Sequence, residues 1–118
     1  MMLSSPLLLL SSSASAADIE SVRVWRAPDS TRLVLDLSSA ADHKLFALQN
    51  PNRLVIDLSD SQVKTQFDKL DLTNTPIAKI RAAVRNKTDV RVVLDLKNTV
   101  SPKSFSLKAN EQYSDRLV

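Results

Sequence analysis

The most regular feature of the chain is a short motif in which polar and aliphatic positions alternate. Arg32-Leu33-Val34-Leu35-Asp36-Leu37, Arg53-Leu54-Val55-Ile56-Asp57-Leu58 and Arg91-Val92-Val93-Leu94-Asp95-Leu96 follow one pattern, and Arg116-Leu117-Val118 begins a fourth copy. Aliphatic runs of this length, rich in β-branched residues and bounded by turn formers, predict strands. Side chains alternate across a strand, so the second, fourth and sixth residues of each copy share one face and the Arg, Val and Asp share the other. The aliphatic face must be buried. Arg and Asp within one copy lie roughly 13 Å apart at the strand rise, too far to pair with each other. They are left to pair with neighbouring strands, or with a ligand lying across the sheet.

The motif belongs to a larger repeat. Val22-Arg23 recurs 58 positions on as Ile80-Arg81, and Arg32, Lys44, Phe46 and Leu48 recur 59 positions on as Arg91, Lys103, Phe105 and Leu107. Arg53 recurs 63 positions on as Arg116, the extra residues falling in the Ala109-Asn110-Glu111 turn. One unit is used twice, and each copy predicts four strands: 19–26, 31–38, 43–49 and 52–59, then 77–85, 90–97, 103–108 and 113–118. Short connections favour antiparallel neighbours. The expected fold is an all-β sandwich of two pseudo-symmetrical, mainly antiparallel four-stranded sheets. Phe46, Leu48, Phe105 and Leu107 alternate as core positions. In the segment joining the halves, Val63, Phe67 and Leu70 fall at i, i+4 and i+7, which predicts one short linking helix over the open side of the sandwich. Asp60 or Ser61 would cap it, and Pro76 would separate it from the next strand.

Residues 1–17 carry no charge. The run Leu7 to Leu10, followed by Ser and Ala as far as Ala17, has the form of a secretory signal, with cleavage after Ala16 or Ala17. The run is too short to span a bilayer. No Lys or Arg precedes it, so a disordered leader is the alternative. The expected organisation is a leader over 1–17 and one domain over 18–118.

Composition narrows the chemistry. The 118 residues include no Gly, where about eight are usual. That excludes a dinucleotide fingerprint, a P-loop and a Gly-x-Ser-x-Gly elbow. There is no Cys and a single histidine, His43, so neither a thiolate nor a two-His metal site is available. No cofactor, no metal and no self-contained catalysis are expected. The net charge is +3, with 16 bases interspersed among 13 acids. Nucleic-acid binders segregate their bases into a stripe beside aromatics, so nucleic acid is not the expected partner, although the sign suits some anionic one. Without Gly, hairpins should use longer loops built on type I turns, with Asn in left-handed positions.

Val22-Arg23-Val24-Trp25, the Arg32–Leu37 copy, and Phe46-x-Leu48-x-Asn50-Pro51-x-Arg53 running on to Leu58 together resemble the AMIN domain. Ile80-Arg81, the Arg91–Leu96 copy, Phe105-x-Leu107 and Tyr113-x-x-Arg116-Leu117-Val118 fit as well, so the resemblance covers about 18–118. Its motifs are specific in order and spacing rather than singly. Ala82-Ala83-Val84 and Ser114-Asp115 stand where the family often has Gly, and the last motif is half present. The AMIN domain precedes the catalytic domain of periplasmic N-acetylmuramoyl-L-alanine amidases of the AmiC and AmiB type. The resemblance implies a β-sandwich that displays its Arg and Asp pattern on the outer faces. It implies peptidoglycan as partner, septal division proteins as further candidates, and a Gram-negative periplasmic location. It also implies a zinc amidase whose catalytic residues lie outside this segment. AMIN domains occur in type IV pilus secretins too, and a sheet edge open to strand addition would suit a protein–protein module; both readings stay open.

The candidate ligand-binding residues are therefore Arg32, Asp36, Arg53, Asp57, Arg91, Asp95 and Arg116. Guanidinium forks match the carboxylates of peptide stems, and the Asp side chains can accept hydrogen bonds from sugars and amides. The same residues also suit cross-strand ion pairs on a solvated face. Trp25 sits beside Arg23 and suits stacking on a sugar ring, or partial burial. His43 reads as a solvated strand-start residue, and Asn50-Pro51-Asn52 as a turn.

Overall fold

The computed structural model describes residues 16–118, all-β and without a helix among them. The strands are β1 (Ala17–Ala27), β2 (Ser30–Leu37), β3 (His43–Leu48), β4 (Arg53–Leu58), β5 (Ser61–Val63), β6 (Ile77–Arg85), β7 (Asp89–Leu96), β8 (Ser106–Leu107) and β9 (Asp115–Leu117). One sheet has the order β5-β1-β2-β9-β8 and the other β3-β4-β7-β6. All neighbours are antiparallel except β5, which lies parallel to β1. Residues 1–15 of the expected leader lie outside the described residues, and Ala17 is the buried first residue of β1.

The sandwich follows from the aliphatic face of each motif. Leu35, Leu37, Leu54, Ile56, Leu58, Val90, Val92, Leu94 and Leu117 all point between the sheets and are buried, together with Ile19, Ile77 and Ile80. The repeat is visible in space, but its halves are exchanged. β1 and β2 from the first half pair with β9 and β8 from the second, and β6 and β7 from the second half pair with β4 and β3 from the first. Each sheet is thus built from both halves, and an approximate two-fold axis relates them. Sequence spacing identifies the repeated unit but not which strands it pairs with.

The four-stranded sheet is as expected, and the other gains β5 as a fifth strand. β5 is the start of the segment expected to be a helix. Only three apolar residues mark a helical face there, and so short a helix is marginal without strong packing. Ser61–Val63 instead pairs with Ala17–Ile19, and residues 64–76 continue as turns and irregular chain. Arg26 on β1 pins this chain, donating hydrogen bonds to the carbonyls of Asp71 and Thr73. Phe67 still reaches the core, 7% exposed.

Two further expectations need correction. β8 and β9 are shorter than predicted, and residues 101–110 are exposed throughout. Phe46, Leu48, Phe105 and Leu107 are not core. Leu45 is opposite the inward Ile56, whereas Phe46 and Leu48 are opposite the outward Val55 and Arg53. The stretch Leu45-Phe46-Ala47-Leu48 is apolar on both faces, so alternation alone does not fix its phase. Phe105, Leu107 and Leu48 are exposed as a result.

The turns solve the absence of Gly in two ways. β1 and β2 are joined by only Pro28 and Asp29, shorter than expected, and neither has a positive φ. Positive φ occurs at Asn50, Asp60, Asn74, Asn86 and Lys87. Asn and Asp fill such positions at low cost because their short polar side chains bond locally, and Lys87 is the exception.

Candidate functional site on the outer sheet faces

The polar face of each motif points outward, and two β-bulges complete the arrangement. Register shifts between Ile19 and Ser21 on β1, and between Ile77 and Lys79 on β6, occupy equivalent places in the repeat. Each bulge inserts one residue and so inverts the facing of the strand beyond it. Ile19 and Ile77 point into the core, while Arg23 and Arg81 are turned outward beside the motif carboxylates. Arg23 donates to both oxygens of Asp36 at 2.8 and 2.8 Å. Arg81 does the same to Asp95 at 2.9 and 2.9 Å.

All three motif carboxylates are held in this way. Arg91 grips Asp57 with two hydrogen bonds of 2.8 and 2.9 Å, and Arg85 adds a third at 2.9 Å. Asp36 also accepts a hydrogen bond from the Ser21 hydroxyl. Burial works against ionisation of Asp36, but the bonds from Arg23 and Ser21 outweigh it and hold the carboxyl below its ordinary range. The bonds from Arg81 dominate at Asp95 and lower it against some burial, helped by the charges of Lys79 and Arg53.

The motif arginines divide into two groups. Arg91 is committed to Asp57. Arg32, Arg53 and Arg116 reach no carboxylate among the described residues. Arg53 is directly opposite Asp95, and Arg116 directly opposite Asp36, but those carboxylates are already taken by Arg81 and Arg23. Beyond one internal hydrogen bond each, from Arg53 to the carbonyl of Pro51 and from Arg116 to that of Ser114, both guanidinium groups are left with donors to spare. Both lie beside exposed apolar residues. Leu48 is opposite Arg53, Leu107 is opposite Arg116, and Arg116 lies 4.7 Å from the centroid of the Tyr113 ring.

Each outer face is therefore not a simple solvated surface. Val34 and Val55, the outward Val of two motifs, are buried. Arginine stems and aromatic rings cover this region, with Arg91 over Phe46 at 5.6 Å and Arg23 over Tyr113 at 5.9 Å. Such a surface offers free guanidinium donors, which can hold carboxylates, next to flat apolar area, which can pack against rings. A cavity of about 780 Å³ between the sheets combines aliphatic side chains such as Leu33, Leu54, Leu94 and Leu96 with the polar side chains of Asp29, Arg32, Asn74 and Lys103. No group of three or more His, Asp or Glu side chains among the described residues is placed to hold a metal.

The AMIN domain profile matches residues 21–118, the greater part of the chain. The chain belongs to the AMIN family. Two relatives are both named N-acetylmuramoyl-L-alanine amidase AmiC. The one from Neisseria meningitidis serogroup B is 33% identical over 107 residues, covering 87% of this chain, and the one from Escherichia coli is 32% identical over 109 residues, covering 89%. This AMIN domain spans 26% of the length of each.

Within the AMIN domain, the seven candidate residues fall on the two outer faces, Arg32, Asp36 and Arg116 on one and Arg53, Asp57, Arg91 and Asp95 on the other. The cross-strand ion pairing anticipated for such residues is real for the three Asp and for Arg91. Trp25 is opposite Arg32 and 59% exposed. His43 is a strand-start residue, half-buried, with Nε2 at 3.0 Å from the Ser104 hydroxyl. The sequence reading missed Arg23, Arg81 and Arg85 as the partners of the motif carboxylates, because two bulges that alternation cannot reveal decide their facing. The recurrence of Arg23 as Arg81 was the available signal.

Proposed function

We propose that this AMIN domain is a non-catalytic peptidoglycan-binding module that carries an N-acetylmuramoyl-L-alanine amidase to the wall. The observation that carries the reading is the pair Arg53 and Arg116. They occupy equivalent positions on opposite outer faces, have no carboxylate partner among the described residues and lie against exposed apolar side chains. Two such sites suit a ligand that repeats. The AmiC names of the relatives supply the substrate class and the parent activity, with catalysis in another part of a longer, zinc-dependent protein. The location is periplasmic, and the destination in the cell is the division septum.

Sedimentation with insoluble sacculi tests the reading. Wild-type protein should pellet with the wall at low salt. Arg53→Ala combined with Arg116→Ala should leave the fold intact, since neither side chain holds a carboxylate, and should lower retention about tenfold, at up to ~1 kcal/mol for each exposed charged contact. Wild-type protein that stays in the supernatant at low salt would refute wall binding.

A further inference from the structure

The approximate two-fold axis makes the two outer faces comparable position by position. On one face a row runs Ser21, Asp36, Arg116, Leu107; on the other it runs Lys79, Asp95, Arg53, Leu48. The last three members match in chemistry and the first does not. Two rows along the same face, past Arg23 and Val34 on one and Arg81 and Val93 on the other, Trp25 and Arg32 correspond to Ala83 and Arg91, and again the first member differs. These two exchanges sit on matching strand pairs, β1–β2 and β6–β7, although β4 sets Asp57 beside Arg91 and no β9 residue is paired beside Arg32.

They act in opposite directions. On the five-stranded sheet, Ser21 donates to Asp36 through a neutral hydroxyl, and Trp25 presents an exposed ring beside Arg32. On the four-stranded sheet, Lys79 replaces the hydroxyl with a cation. Asp95 is then flanked by Lys79 and Arg53 while already gripped by Arg81. One carboxylate stands among three cations, and Ala83 offers no ring. Arg53 and Lys79 lie two strands apart, roughly 10 Å between backbones, so their long side chains can bracket one anionic group above Asp95.

We infer that the faces have divided the ligand between them: the four-stranded face takes the carboxylates of the peptide stems through Arg53 and Lys79, and the five-stranded face takes sugar rings on Trp25. This rests on the wall-binding reading above. Charge complementarity assigns the first occupant. The exposed indole, an apolar plate with a polar edge, assigns the second.

The test converts each distinctive position to its counterpart, Lys79→Ser and Trp25→Ala. Both positions are exposed, and circular-dichroism melting of each variant checks the fold. Retention is measured on intact sacculi and on glycan strands stripped of their stem peptides. Lys79→Ser should weaken binding to intact sacculi about fivefold, with a shallower salt dependence, and leave stripped glycan unaffected. Trp25→Ala should weaken binding to stripped glycan about tenfold, with no change in salt dependence. Equal losses for both variants on both ligands, or a Lys79→Ser protein that binds intact sacculi like wild type, would overturn the division. Failure of wild-type protein to bind intact sacculi would instead overturn the wall-binding reading itself.

Discussion

Phe67→Ala tests how the sandwich is closed. Phe67 lies in the irregular chain after β5, yet it is 7% exposed and belongs to the core with Ile77 and Ile80. No regular element holds it, so its ring must anchor that segment across the open side. Truncating a buried Phe costs about 3–5 kcal/mol. The low end applies here, because a surface cavity of about 680 Å³ already lies beside the ring and a loop can partly collapse into the space. About 3 kcal/mol is a large share of the ~5–15 kcal/mol that stabilises a typical domain. For a domain of this size it should lower Tm by roughly 12 °C or more. Thermal and urea melts followed by circular dichroism measure this. Sacculus retention, taken at low temperature and corrected for the folded fraction, should not change, because the Phe67 ring is buried in the core and is not displayed on either outer face. A Tm loss under about 4 °C would mean that Phe67 merely rests on the core. Normal stability with lost binding would contradict the assignment of the site to the outer faces.

Two further outcomes follow from the same geometry. Asp36 and Asp95 have folded pKa values lowered below that of an unfolded Asp, about 3.9. The stability they contribute is therefore complete above that value and drains as pH falls through the folded value. Denaturant midpoints should be flat on this account from pH 7 to about 5 and fall below about 4, and Asp36→Asn should reduce the fall; loss already at pH 6 would require a different group. At the β6–β7 turn, Lys87 has φ of 66°, a left-handed position costing a non-Gly residue ~1–2 kcal/mol. Lys87→Gly should raise stability by up to about 1 kcal/mol after the added freedom of the unfolded chain is counted, and a lowered urea midpoint would refute the strain.

The three full motif copies disclosed their own facing because each sets three aliphatic residues on one side against an Arg and an Asp on the other. That pattern was enough for the all-β class, the sandwich and the outward placement of Arg53, Asp57, Arg91 and Asp95. β3 did not disclose its facing, since Leu45, Phe46 and Leu48 are apolar on both sides, and the phase was set by pairing with β4. The partners of Asp36 and Asp95 depended on bulges, which insert one residue without any composition signal. The expected helix was lost to a competing partner: the free edge of β1 accepted Ser61–Val63 as a strand. Local periodicity is informative where one face is buried and silent where long-range pairing decides.

The exchange of strands between the halves has a consequence for the domain as a folding unit. Neither half holds a complete sheet, because β2 needs β9 and β7 needs β4. A polypeptide of one half alone would leave strand edges and aliphatic faces open on both sheets. It could close them only against a second copy of itself, in an intertwined symmetric dimer. The present chain is the covalent form of that dimer. The tether fixes the two copies at high effective concentration and frees each to accumulate its own substitutions, which is how one face could acquire Trp25 and the other Lys79.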